Sequence, residues 1–484
     1  MSRTISRREM LRSCAIGGLF AGVSGAFPVF GTSALAEDSE QRKDKKPNII
    51  FVFADDWGWG DLSCHGNKEL STPNIDRLAS QGTEFYQFNV NNPVCSPSRT
   101  AVITGHYPAR YSVHQHFSTV ENHTKMGMPD WLDPKAPLLP RILKQAGYTT
   151  GHFGKWHLSN TRVKDAPLPT EYGYDESGVF NGPGPQIKVN EPCDKAIDFI
   201  KRHQKEPFFV NLWVHETHTP HYPSDESMKR YSNLDKQHQV YAAVAADGDK
   251  RIGRILDTLK ELDLEDNTLV VFSSDNGPEI TGKPGPETAD SDAASGRPGL
   301  GEYYSVGTTG GLRGRKRSLY EGGVRVPFIV RWPGKVPVGK INETIEITAV
   351  DLLPTFCAVA GAKLPEGYMP DGESMLEAFL GKSIHRTKPI FWEWQGAHQG
   401  DNWPCLGVRR EQWKLLMSSD KSRVELYDVP ADRTESKNLA DQHPDVVKEL
   451  IAMIEKWKAE LPASPSSNCF SKMRQGKVVP SIAK

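Results

Sequence analysis

Three mainly apolar runs constrain this chain more than anything else in it. Ile49-Ile50-Phe51-Val52-Phe53-Ala54 stops at Asp55-Asp56. Phe208-Phe209-Val210-Asn211-Leu212-Trp213-Val214 stops at His215, and Leu269-Val270-Val271-Phe272 leads through two serines to Asp275-Asn276-Gly277. Apolar stretches of this length without alternation read as strands covered on both faces, the pattern of a central parallel sheet. Tyr148 to Gly154 reads as a further strand and leads to Lys155-Trp156-His157. Helical stretches fall between the strands. Thr72 and Pro73 suit an N-cap and first turn, Leu138 to Ala146 stops at Gly147, and Val240 to Leu259 carries one apolar stripe. Alternating strands and helices predict an α/β class, a large, mostly parallel sheet flanked by helices.

In open α/β sheets ligands bind beyond the carboxyl ends of the strands. Here those ends collect Asp55, Asp56, Lys155, His157, His218, Asp275 and Asn276. A further stretch converges on them. Asn91-Asn92-Pro93-Val94-Cys95-Ser96-Pro97-Ser98-Arg99 reads as a polar loop opening a helix, with Cys95 at its mouth and Arg99 four residues on, along one face. A cysteine, an arginine and a helix N-terminus together suit an anion. Asp55, Asp56, Asp275 and Asn276 are oxygen donors from two strand ends, and adjacent carboxylates call for a cation. All-oxygen ligation fits Ca²⁺ or Mg²⁺ rather than zinc. Pro278 to about Gly301 reads as a loop over the site. The glycine-rich, basic return after it brings Lys316, with glycines that let backbone approach a ligand.

After about residue 380 the pattern shifts to short antiparallel strands (Pro389–Trp394, Trp413–Met417, Val424–Asp428) and one helix marked by Val446, Leu450, Ile454 and Trp457. This predicts a smaller C-terminal α+β unit. Trp392 and Trp394 suit either a sugar-binding face or plain core. The net charge of −1 offers no basic face for nucleic acid. The paired Arg7-Arg8, the apolar run from Ala15 to about Phe30 and Ala34-Leu35-Ala36 look like a bacterial twin-arginine signal cleaved after Ala36. The expected organisation is therefore a signal (1–36), a linker (37–46), a catalytic domain (47–380), the C-terminal unit (381–470) and a tail (471–484), with no membrane span in the mature chain. Six cysteines survive cleavage, without a C-x-x-C pair, and one or two disulfides are conceivable.

Cys95-Ser96-Pro97-Ser98-Arg99 fits the C-x-P-x-R motif of the formylglycine-dependent sulfatases. Gly147-Tyr148-Thr149-Thr150 through Gly154-Lys155-Trp156-His157-Leu158, the acidic pairs, and Lys316 with Tyr320-Glu321-Gly322-Gly323 follow in the family's order. Ser159 departs from it, where the family often has glycine. The chain resembles that family over roughly residues 47 to 460, in its arylsulfatase and N-acetylgalactosamine-6-sulfatase branch. The resemblance implies an alkaline-phosphatase-like fold and a sulfuric ester hydrolase. It implies one Ca²⁺ or Mg²⁺ per chain, held by Asp55, Asp56, Asp275, Asn276 and residue 95. Cys95 would become 3-oxoalanine (formylglycine), whose hydrate attacks sulfur, and the covalent sulfate is then expelled. Lys155 and Lys316 would grip sulfate, Arg99 would steady residue 95, His157 would accept a proton, and His218 would protonate the leaving oxygen. His221 also fits the His-x-Pro pattern that singles out His218. Implied partners are a sulfated carbohydrate or other sulfate ester, a formylglycine-generating enzyme and the twin-arginine translocase, with a periplasmic or secreted location. A phosphomonoester or phosphodiester hydrolase of the same superfamily, or an inactive carbohydrate-binding relative, are the other readings.

Overall fold

The computed structural model describes residues 45–281, 288–289, 299–396 and 403–474. The expected signal, nearly all of the linker, most of the 278–301 loop and the last ten residues lie outside the described residues.

Every residue of Asn48–Ala54 is buried, because this strand lies in the middle of an eight-stranded sheet. Across that sheet the strands run Lys340–Asn342, Thr83–Phe85, Phe328–Arg331, Thr268–Ser274, Asn48–Ala54, Phe208–Trp213, Thr149–Lys155 and Glu176–Phe180. Only Phe328–Arg331 pairs antiparallel with its neighbours; the other pairings are parallel. The sheet is mostly parallel, as the apolar runs predict. Alternation places side chains on both faces. Ile49, Phe51 and Phe53 enter one core, and Ile50, Val52 and Ala54 enter the other. The second core is closed by the helices Pro73–Ser80, Pro192–His203 and Lys236–Glu261. The first is closed by Cys95–Thr104, Leu139–Gln145 and Leu352–Ala360, and it continues into the C-terminal unit.

That unit is a four-stranded antiparallel sheet, Ile390–Glu393, Leu406–Arg410, Trp413–Met417 and Val424–Asp428, with the helix Pro444–Ala459. Three of these strands match the sequence expectation. Leu406–Arg410 does not read as a strand, because Gly407 and two arginines break its apolar pattern. Its Arg409 is 1% exposed, donates hydrogen bonds to Gln87 Oε1 and Asn89 Oδ1 and pairs with Glu346, so a cation occupies a core-facing position. Trp392 and Trp394 are core residues, not a sugar face; Trp392 is fully buried and donates to the Val90 carbonyl at 2.8 Å. The six described cysteines are all unpaired. No helix among the described residues is long and apolar enough to cross a membrane.

Four neighbouring parallel strands, Thr268–Ser274, Asn48–Ala54, Phe208–Trp213 and Thr149–Lys155, end on one edge. Gly154, one residue before Lys155, has φ +117°, and a Cβ there would stand 1.9 Å from the Trp213 carbonyl oxygen. Only glycine allows these two strand ends to lie so close. Gly154→Ala is expected to destabilise the protein by about 2 kcal/mol or more, measured by urea unfolding; an unchanged midpoint would contradict this packing.

Candidate active site

Cys95 is the first residue of the Cys95–Thr104 helix, as its sequence context predicts. Val94, extended at φ −145° and ψ 162°, supplies no side-chain cap, so the helix's first N–H groups face the site without one. Arg99, one turn on, is fully buried. Its Nε and Nη2 donate to Asp275 Oδ2 at 3.1 and 2.6 Å, and Nη2 stands 3.4 Å from Asp55 Oδ1. Its guanidinium lies 4.9 Å from the Trp213 ring centre, a contact that replaces part of its lost hydration.

The strand ends bring the acidic residues together. Lys155 Nζ donates to Asp55 Oδ2 at 2.6 Å, and Lys316 Nζ to Asp56 Oδ2 at 2.7 Å. Asn276 Nδ2 donates to Asp56 Oδ1 at 2.7 Å, and the Asp56 backbone N–H to Asp275 Oδ1 at 3.2 Å. Ligand atoms of Asp55, Cys95 and Asp275 all lie within 4.8 Å of one another. Asp55 Oδ1 and Asn276 Oδ1 are buried and accept no hydrogen bond. Two orphaned oxygens beside three carboxylates fit a hard divalent cation, since an unsatisfied buried oxygen is costly without a partner. Burial works against the charge on Asp55, but the Lys155 and Arg99 charges hold its carboxyl well below the usual range. Burial, with the Asp55 charge, pushes Asp275 up.

Burial also pushes the Cys95 thiol up, more than Lys155 draws it down. A protonated thiol is a poor nucleophile. His157 is held in the left-handed region at φ 51°, as is Asp56 at φ 63°, and such strain persists where the surroundings over-determine it. Its Nε2 meets the Phe117 carbonyl at 2.9 Å, so that nitrogen carries the proton and Nδ1, buried without a partner, is the free base. Burial and the Lys155 charge hold the His157 pKa well below the usual histidine value. His218 is likewise held low, chiefly by burial, and its Nε2 stands 3.8 Å from Asp56 Oδ2.

Cys95, Lys155, His157, His218 and Lys316 line one cavity of about 490 Å³. His221 does not line it; its Nε2 faces Ser305 Oγ at 3.1 Å. His215, Glu279 and Arg162 are among the wall residues that escape the sequence reading. His215 Nδ1 lies 3.8 Å from Asp55 Oδ2, and Glu279 sits between Lys316 and Arg317. Arg162 lines the outer wall, its guanidinium without an ion pair among the described residues. Glu279 follows Asp275-Asn276-Gly277-Pro278 directly, and that position was the available signal. The glycines around Lys316 also shape the loop itself. They admit backbone to backbone: a Cβ on Gly277 would lie 1.9 Å from the Gly322 carbonyl oxygen.

The family described as Sulfatase matches residues 47–362, and N-sulphoglucosamine sulphohydrolase, C-terminal, matches residues 314–460. An N-acetylgalactosamine-6-O-sulfatase of Bacteroides thetaiotaomicron is 29% identical, over 88% of this chain and 96% of its own. The N-acetylgalactosamine-6-sulfatase of Homo sapiens is 32% identical, over 72% of this chain and 68% of its own. The crystal structure of Ps i-CgsB in complex with k-i-k-neocarrahexaose superposes with a TM-score of 0.74 at 28% identity, covering 89% of this chain and 96% of that one. Phosphonate monoester hydrolase of Agrobacterium radiobacter shares the fold alone, with a TM-score of 0.60 at 17% identity over 85% of this chain and 96% of its own. The architecture is alkaline-phosphatase-like.

Among the described residues, Arg99 is the buried cation paired with Asp275. Arg99→Met is expected to cost about 3–5 kcal/mol, because it leaves a buried carboxylate without its counter-charge. Urea unfolding in the presence of chelator measures this; a cost below 1 kcal/mol, the level of about the strongest exposed pairs, would show that Asp275 is not charged there.

Proposed function

The chain belongs to the sulfatase family of sulfuric ester hydrolases, and on that premise we propose that it removes sulfate from a sulfated carbohydrate, using a formylglycine made from Cys95 and one divalent cation, Ca²⁺ or Mg²⁺. The observation that carries this reading is the single cavity shared by Cys95, Lys155, His157, His218 and Lys316, at the edge where the carboxylates gather. Asp55, Asp56, Asp275 and Asn276 would hold the cation, with residue 95 beside them. A hydrated formylglycine next to a divalent cation supplies an oxygen nucleophile near neutral pH, which a protonated thiol does not.

The remaining chemistry falls to side chains already in place. Lys155 and Lys316 present ammonium groups to the anionic sulfate oxygens and neutralise charge that grows on them. Arg99 keeps the helix mouth fixed against Asp275 and Asp55. His157 Nδ1 takes the proton whose removal expels sulfate. His218, neutral in the free site, gains proton affinity as the ester anion settles beside it, takes up a proton from solvent on binding, and gives that proton to the leaving oxygen. The names of the relatives, two N-acetylgalactosamine sulfatases and a complex with k-i-k-neocarrahexaose, support a sulfated sugar as substrate. The same reading has a formylglycine-generating enzyme mature Cys95 before the twin-arginine translocase exports the folded chain to the periplasm or beyond. The six described cysteines, all unpaired, suit folding in a reducing compartment.

Conversion of the thiol to the aldehyde is expected to lower the mass of the peptide holding residue 95 by about 18 Da. An unmodified peptide from fully active enzyme would sink the mechanism. Cys95→Ala should lower kcat by more than about a thousandfold, the scale seen when a nucleophile is removed. Chelation should abolish turnover and Ca²⁺ or Mg²⁺ restore it. Release of inorganic sulfate from sulfated oligosaccharides, with aryl phosphate left intact, separates this reading from a phosphoesterase; preferential phosphate release would reverse it.

A further inference from the structure

The segment Phe117-Ser118 touches both halves of the proposed site. The Phe117 N–H donates to Ser96 Oγ at 3.0 Å, one residue past Cys95. The Phe117 carbonyl accepts from His157 Nε2 at 2.9 Å and from Asn160 Nδ2 at 3.1 Å. That carbonyl therefore fixes which nitrogen of His157 is left bare. Such a loop carbonyl holds its direction only if the next peptide is also held.

It is held from outside the cavity. The Ser118 N–H donates to His123 Nε2 at 2.6 Å, and His123 Nδ1 meets Asp130 Oδ1 at 2.8 Å. A backbone N–H can only donate, so Nε2 is the acceptor and Nδ1 carries the proton to Asp130. His123 is buried, and the Phe117 ring stands edge-on to it at 5.6 Å. Asp130 is anchored in turn by the far end of the described chain. Arg474 Nε donates to its Oδ2 at 2.6 Å, Arg474 Nη2 to its Oδ1 at 3.0 Å, and the Ser471 N–H to its Oδ2 at 2.8 Å. Residues 471–474, at the start of the expected tail, thus pack against the loop behind the site.

We propose that His123, held by Asp130 and Arg474, is a positioning residue for His157, acting through the Ser118 N–H and the Phe117 carbonyl. It touches no substrate. Its effect is to keep the His157 Nδ1 lone pair aimed into the cavity. The inference rests on the reading of His157 as the proton acceptor.

Two variants one methylene apart test it. His123→Gln keeps an acceptor within reach of the Ser118 N–H. His123→Asn keeps a donor for Asp130 but places no atom near Ser118. The Asn variant is expected to lose about tenfold or more in kcat with KM unchanged, since misaimed groups slow chemistry while the sulfate-binding lysines stay in place. The Gln variant should stay near the parent. Equal kcat in the two variants, or a rise in KM matching the fall in kcat, overturns the proposal. Should the Asn variant not fold, Arg474→Gln replaces it: a fall in kcat at constant KM is expected, and an unchanged kcat overturns the relay. His157→Ala is run alongside. If it retains the parent's kcat, the reading of His157 fails; if it collapses while His123→Asn does not, only the positioning claim fails.

Discussion

Three carboxylates gathered at one edge of the sheet, out of water, are what the rest of this molecule has to accommodate. Asp55, Asp56 and Asp275 are essentially unexposed. Each has a buried cation against it: Lys155 on Asp55, Lys316 on Asp56, Arg99 on Asp275. Bringing charges into a low-dielectric interior is expensive even when they are paired. A small domain could not carry that cost. Here an eight-stranded sheet with a continuous apolar core on each face supplies the opposing term, and the C-terminal unit extends one of those cores.

Much of this was legible in the sequence because the signals are local. A strand buried on both faces writes itself as an apolar run, and its end is marked by the first charged residues. The helix mouth at Cys95 is marked by the polar loop before it, with Pro93 two residues ahead. What escaped is set by contacts between distant residues. Leu406–Arg410 is a strand despite its arginines, because Gln87, Asn89 and Glu346 meet Arg409 from more than sixty positions away or farther. Short strands such as Thr83–Phe85 and Lys340–Asn342 carry too few residues to show a period. Arg162 belongs to the cavity wall only through folding, and a lone arginine carries no mark of that. His123, Asp130 and Arg474 are ordinary polar residues in sequence, and their alignment exists only in space.

Backbone conformation carries as much of the site as side-chain identity. Asp56 and His157, from two different strand ends, both sit in the left-handed region that L-residues avoid. The strain is tolerated because each is held on several sides. For Asp56 the restraints are Asp275, Asn276 and Lys316; for His157 they are the Phe117 carbonyl and the Asn181 carbonyl, which accepts its N–H at 3.3 Å. A strained backbone at these points turns side chains that would otherwise follow the strand direction toward one shared cavity.

Lys316 poses the opposite problem, since it comes from a loop and not from a strand end. A loop lysine on its own would sample many positions and bring little preorganised charge. Backbone contacts remove that freedom. The Lys316 N–H donates to the Pro278 carbonyl at 3.1 Å, and the Arg317 N–H to the Pro93 carbonyl at 3.0 Å. Pro278 lies two residues beyond Asn276, and Pro93 lies two residues before Cys95. The Gly277 N–H donates to the Gly323 carbonyl at 2.9 Å, and the absence of side chains at Gly277, Gly322 and Gly323 is what permits the approach. The loop is therefore stitched to the acidic strand end on one side and to the helix mouth on the other. Its ammonium group is fixed relative to both, so a third cationic corner of the cavity is as well placed as those that the sheet itself provides.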